Sequence, residues 1–368
     1  MNWAILELYC GGSGKLGFYN SQELGLARAL KKSGMQVTIV YPDKSGNPDW
    51  EESPEEGITI LHKACRALGV HGFYNLDFLT ERKIDVVHLD SDNQMYAPTV
   101  VRFCEKHGIF CYHYIGTVYS DTENGLKKQL MNLISRRNIR MFRKMLTIGK
   151  TEAVRKAMEK SGVSGVQVVP VGLDTSVIQT AEVGKDELRR MLGLPTDKKL
   201  LLFVGRLESY KRPFAALELL ERLGSSYALA IIGDGGLREE LKERIQKSGN
   251  ADNIFYFDRI PNTQMYQYYA ASDCYVNFNT HEIFGMSILE AMYQGCPVVA
   301  RRAPGPEQIV ENGVSGYLCN SEEEMGRIIA GGIAPEIGQR AAERIRKEFT
   351  WESSAEKIQK LVRSRKEE

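Results

Sequence analysis

No two cysteines in this chain are spaced C-x-x-C, no apolar run reaches the ~18 residues that a membrane span needs, and neither sign of charge prevails. The seven cysteines (Cys10, Cys65, Cys104, Cys111, Cys274, Cys296 and Cys319) are scattered and odd in number. That pattern argues against a disulfide framework or a zinc site and for a reducing cytosol. With 48 Lys and Arg against 47 Asp and Glu, the net charge is only +1, so no general attraction to nucleic acid is expected. The first residues lack a basic stretch followed by a long apolar one, which predicts no signal peptide. Short internal repeats and low-complexity tracts are also missing. At 368 residues the chain exceeds what one core normally organises, and two domains are expected.

What is present begins with "YCGGSGKLGF" at 9–18. The stretch suggests a phosphate-binding loop, but the G-x-x-x-x-G-K-[ST] template fails at both ends. Gly14-Lys15 would require a glycine where Tyr9 stands and a hydroxyl where Leu16 stands. A strand, a Gly-rich turn and a helix remain. Such a turn either admits a ligand close to the backbone or is simply tight.

Short β-rich runs then alternate with helical patterns. "WAILELY", "QVTIVYP", "DVVHLD", "FCYHYIG", "MLTIGK" and "VQVVPVG" make one series. "KLLLFVGRL", "YALAIIGDG", "IFYFDRI", "CYVNFN" and "CPVVAR" make a second. The alternation predicts an α/β chain with two doubly wound, Rossmann-like parallel sheets. The expected domains are 1–175 and 176–345, with a polar connection at 180–199. An amphipathic helix over 346–368 should return toward the first domain. Ligands of such sheets sit beyond the carboxyl ends of the strands, so a cleft faced by both domains is the expected site, with the turn at 11–17 lining it.

The segment 279–318, "NTHEIFGMSILEAMYQGCPVVARRAPGPEQIVENGVSGYL", carries the most chemistry. A helix should start near Gly285–Met286. Glu282 precedes it and Glu290 lies about one turn inside, so two carboxylates stand on the order of 10 Å apart at its N-terminus. Unbonded N–H groups there favour a phosphate. A nucleoside diphosphate sugar, with hydroxyls on either side of a diphosphate, has the matching shape. The bland alternative is two glutamates that happen to be eight apart. "FVGRLESYKRP" ends a buried strand and delivers Arg206 and Lys211 to the same edge, where two cations suit a departing diphosphate. Read alone, it is a solvated basic loop.

Taken in order, G-R-L-x-x-x-K, "IIGDGGLREEL", E-I-F-G-x-x-x-x-E-A-M, G-x-P-V-V-A and "IVENGVSGYL" resemble the family 4 glycosyltransferases of the GT-B fold. The resemblance is dense over about 200–320 and thinner before it, where the Gly-rich turn, "DVVHLD", "TEAVRKAM" and "VVPVGLD" follow in the right order. It implies retaining transfer of a sugar from a nucleotide diphosphate donor to a hydroxyl acceptor, with no cofactor and no essential metal. By the same resemblance, Glu290 holds the ribose, and Glu282 faces the donor sugar. Phe284, Gly285, Met286 and Ser287 meet the diphosphate and sugar, and Arg206 and Lys211 bind the diphosphate. Arg259 and Ile260 flank the base, and Gly12 approaches the phosphates from the other domain. Glu282, Arg206 and Lys211 are the implied catalytic set. UDP is the favoured nucleotide. The family's common P-E-I-V reads P-E-Q-I-V here, which sets Gln308 in the usual Glu slot.

Other readings stay open at this stage. Asp90-Ser91-Asp92 follows a strand, and a D-x-D there holds Mg²⁺ or Mn²⁺ in metal-dependent glycosyltransferases. Otherwise Asp90 lines the acceptor side. His113 is a second acceptor-side candidate or a satisfied core residue. A non-catalytic partner subunit would keep the fold. Residues 125–146 carry seven basic residues and no acid, with Leu126, Leu130, Ile134, Met141 and Met145 at partly helical spacing. That is either an anionic membrane contact, for a lipid-linked acceptor, or a solvated helix packed by its apolar side. The first option predicts a cytoplasmic protein peripheral at the inner face of the membrane.

Overall fold

Continuous apolar runs become buried parallel strands, as expected where helices cover both faces of a sheet. The computed structural model describes residues 1–11, 21–90, 94–118 and 125–367, apart from the side chains of Lys127 and Leu130. These residues form two units. One holds the chain up to Gly172 together with Trp351 onward, and the other holds Leu173–Thr350. The chain therefore divides at 172/173 and 350/351 instead of the expected 175/176 and 345/346.

The first unit contains β1 (Asn2–Glu7), β2 (Gln36–Asp43), β3 (Trp50–Glu55), β4 (Ile58–Ala64), β5 (Arg66–Leu68), β6 (His71–Phe73), β7 (Val86–Asp90), β8 (Phe110–Ile115), β9 (Thr147–Gly149) and β10 (Gln167–Val168). Eight of them form one sheet in the order β10-β9-β8-β7-β1-β2-β4-β3. Every pairing in it is parallel except β3 with β4. Strands β5 and β6 make a separate antiparallel pair. On one face, Ala4, Leu6, Val87 and Leu89 pack with Val100, Val101 and Cys104 of the helix Ala97–His107.

Local signals place the helices. Ser21 caps Gln22–Lys32 by accepting from Leu24 N at 3.2 Å, and Gly108, at φ 67°, ends Ala97–His107. The last helix, Trp351–Glu367, lies against Gln22–Lys32. Its Trp351 sits so close to Gly25 that a Cβ there would fall 2.2 Å from the indole. Trp351, Ile358 and Val362 are buried in that contact zone, each worth roughly 1.5–3 kcal/mol of apolar burial.

The second unit contains β11 (Lys199–Val204), β12 (Tyr227–Ile232), β13 (Ile254–Phe257), β14 (Cys274–Asn277), β15 (Val298–Arg301) and β16 (Tyr317–Cys319), in the order β13-β12-β11-β14-β15-β16 and all parallel. Leu201, Phe203, Leu229, Ile231 and Val276 pack with Ala216 and Leu220 from the helix Pro213–Leu223. The stretch expected as a polar connection holds a helix, Lys185–Leu192. Its Leu188 is buried, and its Arg189 bonds Asp273 at 2.7 Å and the carbonyl of Ala271 at 2.8 Å. This stretch is part of the second unit, because a buried guanidinium with three fixed acceptors cannot belong to a loose linker.

Candidate active site

The second sheet's carboxyl edge is built by fastening two loops together. After β11, the Gly205–Leu207 turn meets the loop after β12. Leu207 N donates to Asp234 O at 3.0 Å, and Leu237 N donates to Leu207 O at 2.8 Å. The approach leaves no room for side chains: a Cβ on Gly233 would lie 1.9 Å from Gly205 O, and one on Gly235 2.7 Å from Leu207 O. Gly233 and Gly235 of "IIGDGG" are thus required by backbone contact with "GRL". Arg206 and Lys211 follow on that turn. Both stand over one ring, Tyr210, with Arg206 Cζ 5.4 Å and Lys211 Nζ 5.5 Å from its centroid. Arg206 is exposed.

A third loop, 278–285, brings the first carboxylate. Two side-chain turns shape it. Asn279 N donates to Asn277 Oδ1 at 3.0 Å and His281 N donates to Asn279 Oδ1 at 2.9 Å. Asn279 Nδ2 then donates to Glu282 Oε2 at 3.1 Å, and the same oxygen accepts from Lys211 Nζ at 2.5 Å. Gly305 N holds Glu282 O at 2.8 Å, and a Cβ on Gly305 would lie 2.1 Å from Phe284 O. Phe284 is buried.

Gly285, in the left-handed region at φ 102°, starts the helix Met286–Tyr293. Its first bonded donors are Ile288 N and Leu289 N, both to Gly285 O, so the N–H groups of Met286 and Ser287 precede the helical ladder. Ser287 Oγ lies 2.7 Å from Tyr275 OH, which is 3.3 Å from Val204 O. Further along, Glu290 Oε2 accepts from Tyr269 OH at 2.9 Å. Burial, with Glu290 beside it, keeps that phenol protonated by raising its pKa well above the usual range. Glu290 and Tyr269 line a pocket of about 50 Å³ with Asn262, Met265, Val177 and Gln179.

The structure therefore brings Arg206, Lys211 and Glu282 together around Tyr210, with Phe284–Ser287 next to them and Glu290 on the same helix. Arg259 and Ile260 follow β13. Arg259 Nε is 3.3 Å from Asp234 Oδ2, and Ile260 is half-buried. Glu307 is exposed and lies 3.6 Å from Arg302, and Gln308 is half-buried. Gly12, Ser91 and Asp92 lie outside the described residues. In the first unit, Asp90 pairs with Lys150 at 2.9 Å. His113 is fully buried against Phe142, with centroids 4.2 Å apart. Burial lowers its pKa to about 3. It is a core residue on the opposite sheet face from Asp90, and the acceptor-side assignment does not hold for it.

Tyr210, Tyr269, Asn279 and Gly305 were not singled out from the sequence. Only Gly305 carried a signal, the Pro-Gly-Pro that breaks any strand after "VVAR". The stripe anticipated on the helix Gly125–Phe142 is also different. Ser135, Asn138, Ile139 and Phe142 are buried, while Leu126 is 83% exposed. Ile134 and Met141 are half-buried.

Comparison with known proteins fits this geometry. The glycosyl transferases group 1 family model matches residues 184–331. A D-inositol 3-phosphate glycosyltransferase of Acidothermus cellulolyticus is 30% identical over 211 residues, covering 52% of this chain and 46% of that protein. The chain thus spans about half the length of the curated relatives it matches first. An alpha-monoglucosyldiacylglycerol synthase of Streptococcus pneumoniae is 25% identical over 92% of this chain and 79% of its own. Among solved structures, a sucrose-phosphate synthase from Thermosynechococcus elongatus superposes with a TM-score of 0.77 at 18% identity, over 99% of this chain and 98% of its own. HepE of Anabaena, solved with UDP and glucose, superposes with a TM-score of 0.72 at 19% identity, over 99% of this chain and 100% of its own. Among the described residues, no helix is long and apolar enough to cross a membrane. With its two parallel α/β units the chain has the GT-B fold of these solved structures, and its residues 184–331 match the glycosyl transferases group 1 family model.

Proposed function

We propose that the chain is a retaining glycosyltransferase, moving a hexose from a nucleoside diphosphate sugar, UDP-linked by preference, to a hydroxyl acceptor. The observation that carries this is the Lys211–Glu282 pair beside the unladdered N–H groups of Met286 and Ser287, with Glu290 on the same helix. A diphosphate arriving at that helix end draws Lys211 and Arg206 to its oxygens. Glu282 is then released to accept from sugar hydroxyls, and Glu290 accepts from the ribose. As the glycosidic bond breaks, the two cations and the helix N-terminus take up the charge that develops on the phosphate. The acceptor hydroxyl enters on the face the phosphate leaves, and the phosphate takes its proton. No metal is required in this scheme, so EDTA should not slow it. HepE, solved with UDP-glucose, supports the choice of UDP.

The acceptor side of the proposal is a lipid-linked or membrane-borne hydroxyl, with the protein peripheral at the inner face of the cell membrane. Its support is one face of the helix Gly125–Phe142. Leu126 and Leu133 are 83% and 62% exposed, and Arg137 and Arg140 share that face at helical spacing. The Streptococcus pneumoniae relative is named for a glucosyl diacylglycerol product. A thermal-shift series with UDP-, GDP-, ADP- and dTDP-sugars tests the donor. UDP-sugars should raise the melting temperature, since a ligand that binds only the folded state stabilises it. A shift with none of the four removes the proposal, and a shift with another nucleotide alone replaces UDP.

A further inference from the structure

The carboxyl edge of the first sheet carries a row of ionisable side chains that the donor chemistry does not use. Parallel register sets Glu7 beside Asp90 and Asp90 beside Tyr114. The β1–β2 register, ending at Leu6 beside Val40, puts Tyr41 next to Glu7. Strands alternate faces, so Tyr41, Glu7, Asp90 and Tyr114 project from one face. Lys150, just past β9, closes the row with Nζ 2.9 Å from Asp90 Oδ2, 3.4 Å from Gln22 Oε1 and 5.0 Å from the Tyr114 ring centroid. From the helix Gln22–Lys32, Glu23 Oε2 accepts from Ser21 Oγ at 2.9 Å and from Tyr41 OH at 3.2 Å. Carboxylate oxygens of Glu7, Glu23 and Asp90 lie within 4.8 Å of one another.

A second, independent feature points to a ligand. Tyr114 is 1% exposed, and among the described residues its hydroxyl has no hydrogen-bond partner. A buried phenol left unpaired costs free energy unless something else satisfies it. It stands beside the Asp90–Lys150 pair, at an edge where Glu7, Glu23, Asp90 and Lys150 are all only half-buried.

We propose that this row is a polyol subsite, in which Glu23 and Asp90 accept from adjacent hydroxyls of a neutral sugar or cyclitol ring while Lys150 and Tyr114 donate to it. The assignment rests on the glycosyltransferase reading above and names the acceptor's class. Alternating donors and acceptors suit hydroxyls, which do both. A phosphate would meet three carboxylates against one lysine. A metal ion would have to displace Lys150 from Asp90, where an ammonium already supplies the positive charge. Burial, with Asp90 and Glu23 nearby, raises the pKa of Glu7 well above the usual range, as expected where carboxyl groups crowd one lysine.

Calorimetric titration of the full chain decides the matter, with myo-inositol and methyl α-D-glucopyranoside as neutral probes, myo-inositol 1-phosphate as the anionic one, and MnCl₂ as the metal. At least one neutral polyol should saturate at millimolar concentration. Glu23→Gln and Tyr114→Phe should each weaken it roughly tenfold, the loss of one hydrogen bond to a charged or buried group. Tyr114→Phe removes a single oxygen and reports even if Glu23→Gln folds poorly. The proposal is overturned if neither neutral probe binds, if Tyr114→Phe binds as the wild type does, if the phosphate binds more tightly than the polyols, or if MnCl₂ saturates the row and Glu23→Gln abolishes that. UDP titrated into the same sample keeps the two readings apart. UDP binding without polyol binding sinks the subsite alone, and polyol binding without UDP sinks the donor reading alone.

Discussion

At the carboxyl edge of the first sheet, ionisable side chains engage one another: Asp90 with Lys150, Glu23 with Tyr41 and Ser21, and Glu7 with a pKa raised by burial beside Asp90. At the carboxyl edge of the second, the working parts are backbone N–H groups, an exposed arginine and one lysine–glutamate pair. Both edges are reached by the same strand–turn–helix logic, so the fold does not dictate the difference. A backbone-built anion site needs glycines at fixed places, and those leave a dense motif. A site built from side chains in register needs only that the right residues fall opposite one another, and it leaves none. The contrast accounts for a family resemblance that is strong over 200–320 and thin before it.

Acid should break the comparison most forcefully. His88 and His113 are buried in the first unit, and burial lowers their pKa values to about 4 and about 3. Both stay neutral in the fold. Their contribution is fully present above the unfolded value near 6.5 and is lost as pH falls toward the folded ones. At pH 5 each should cost about 2 kcal/mol relative to pH 7, so the pair costs about 4 kcal/mol before Glu7 offsets part of it. The sign for Glu7 is opposite, because a carboxyl raised in the fold stabilises as pH falls. The second unit holds one histidine, His281, and it is exposed. The three tryptophans, Trp3, Trp50 and Trp351, all lie in the first unit. Their fluorescence should therefore lose stability between pH 6.5 and 4 faster than far-UV circular dichroism, which follows both units. Superimposable pH dependences would erase the distinction.

The next effect is kinetic and belongs to the second edge. Arg206→Ala and Lys211→Ala should each lower kcat/KM by roughly 10²-fold or more, since one preorganised donor to a developing charge is worth ~3 kcal/mol. Wild-type rates in both would show that the second edge is not the anion site. A smaller effect sharpens the role of backbone there. Gly305→Ala must push Phe284 O away, at a cost of about 1–3 kcal/mol in stability. It should also weaken nucleotide binding by moving the loop that carries Glu282. Unchanged melting and unchanged UDP affinity would mean the loop is not held by that contact.

The smallest effect per residue is at the helix Gly125–Phe142. Each cation near an anionic surface contributes about 1 kcal/mol, screened within a Debye length. Replacing Arg136, Arg137 and Arg140 with Glu should release the protein from anionic liposomes in a salt-dependent co-sedimentation assay. If the wild type does not sediment at low salt, that face is an ordinary solvated one.

The α/β alternation was legible because buried parallel strands read as unbroken apolar runs, and the start of Met286–Tyr293 was legible because Gly285 punctuates it. Strand β3 was not, since "WEESPE" is an exposed, charged edge with a proline inside and has no apolar face to announce it. His113 sits between Tyr112 and Tyr114, and one step of strand parity decides whether a residue faces the helix Gly125–Phe142 or the charged row. Parity alone separates His113 from Asp90, but only once the register is known. Tyr269 and Tyr275 reach Glu290 and Ser287 from 21 and 12 residues away, and contacts of that span depend on how helices settle on the sheet.

The seat of Trp351 on Gly25 also has a consequence for the order of events during synthesis. Domains generally fold as the chain emerges, the N-terminal one first. Here the described residues of the second unit form one uninterrupted stretch, which can close once Thr350 has left the ribosome. The first unit has to wait for Trp351–Glu367, which cover the helix made some 300 residues earlier. Until then Gly25 and its neighbours stand uncovered. The half of the molecule that is translated first is therefore finished last, and the nascent chain carries an exposed apolar strip for most of its time on the ribosome.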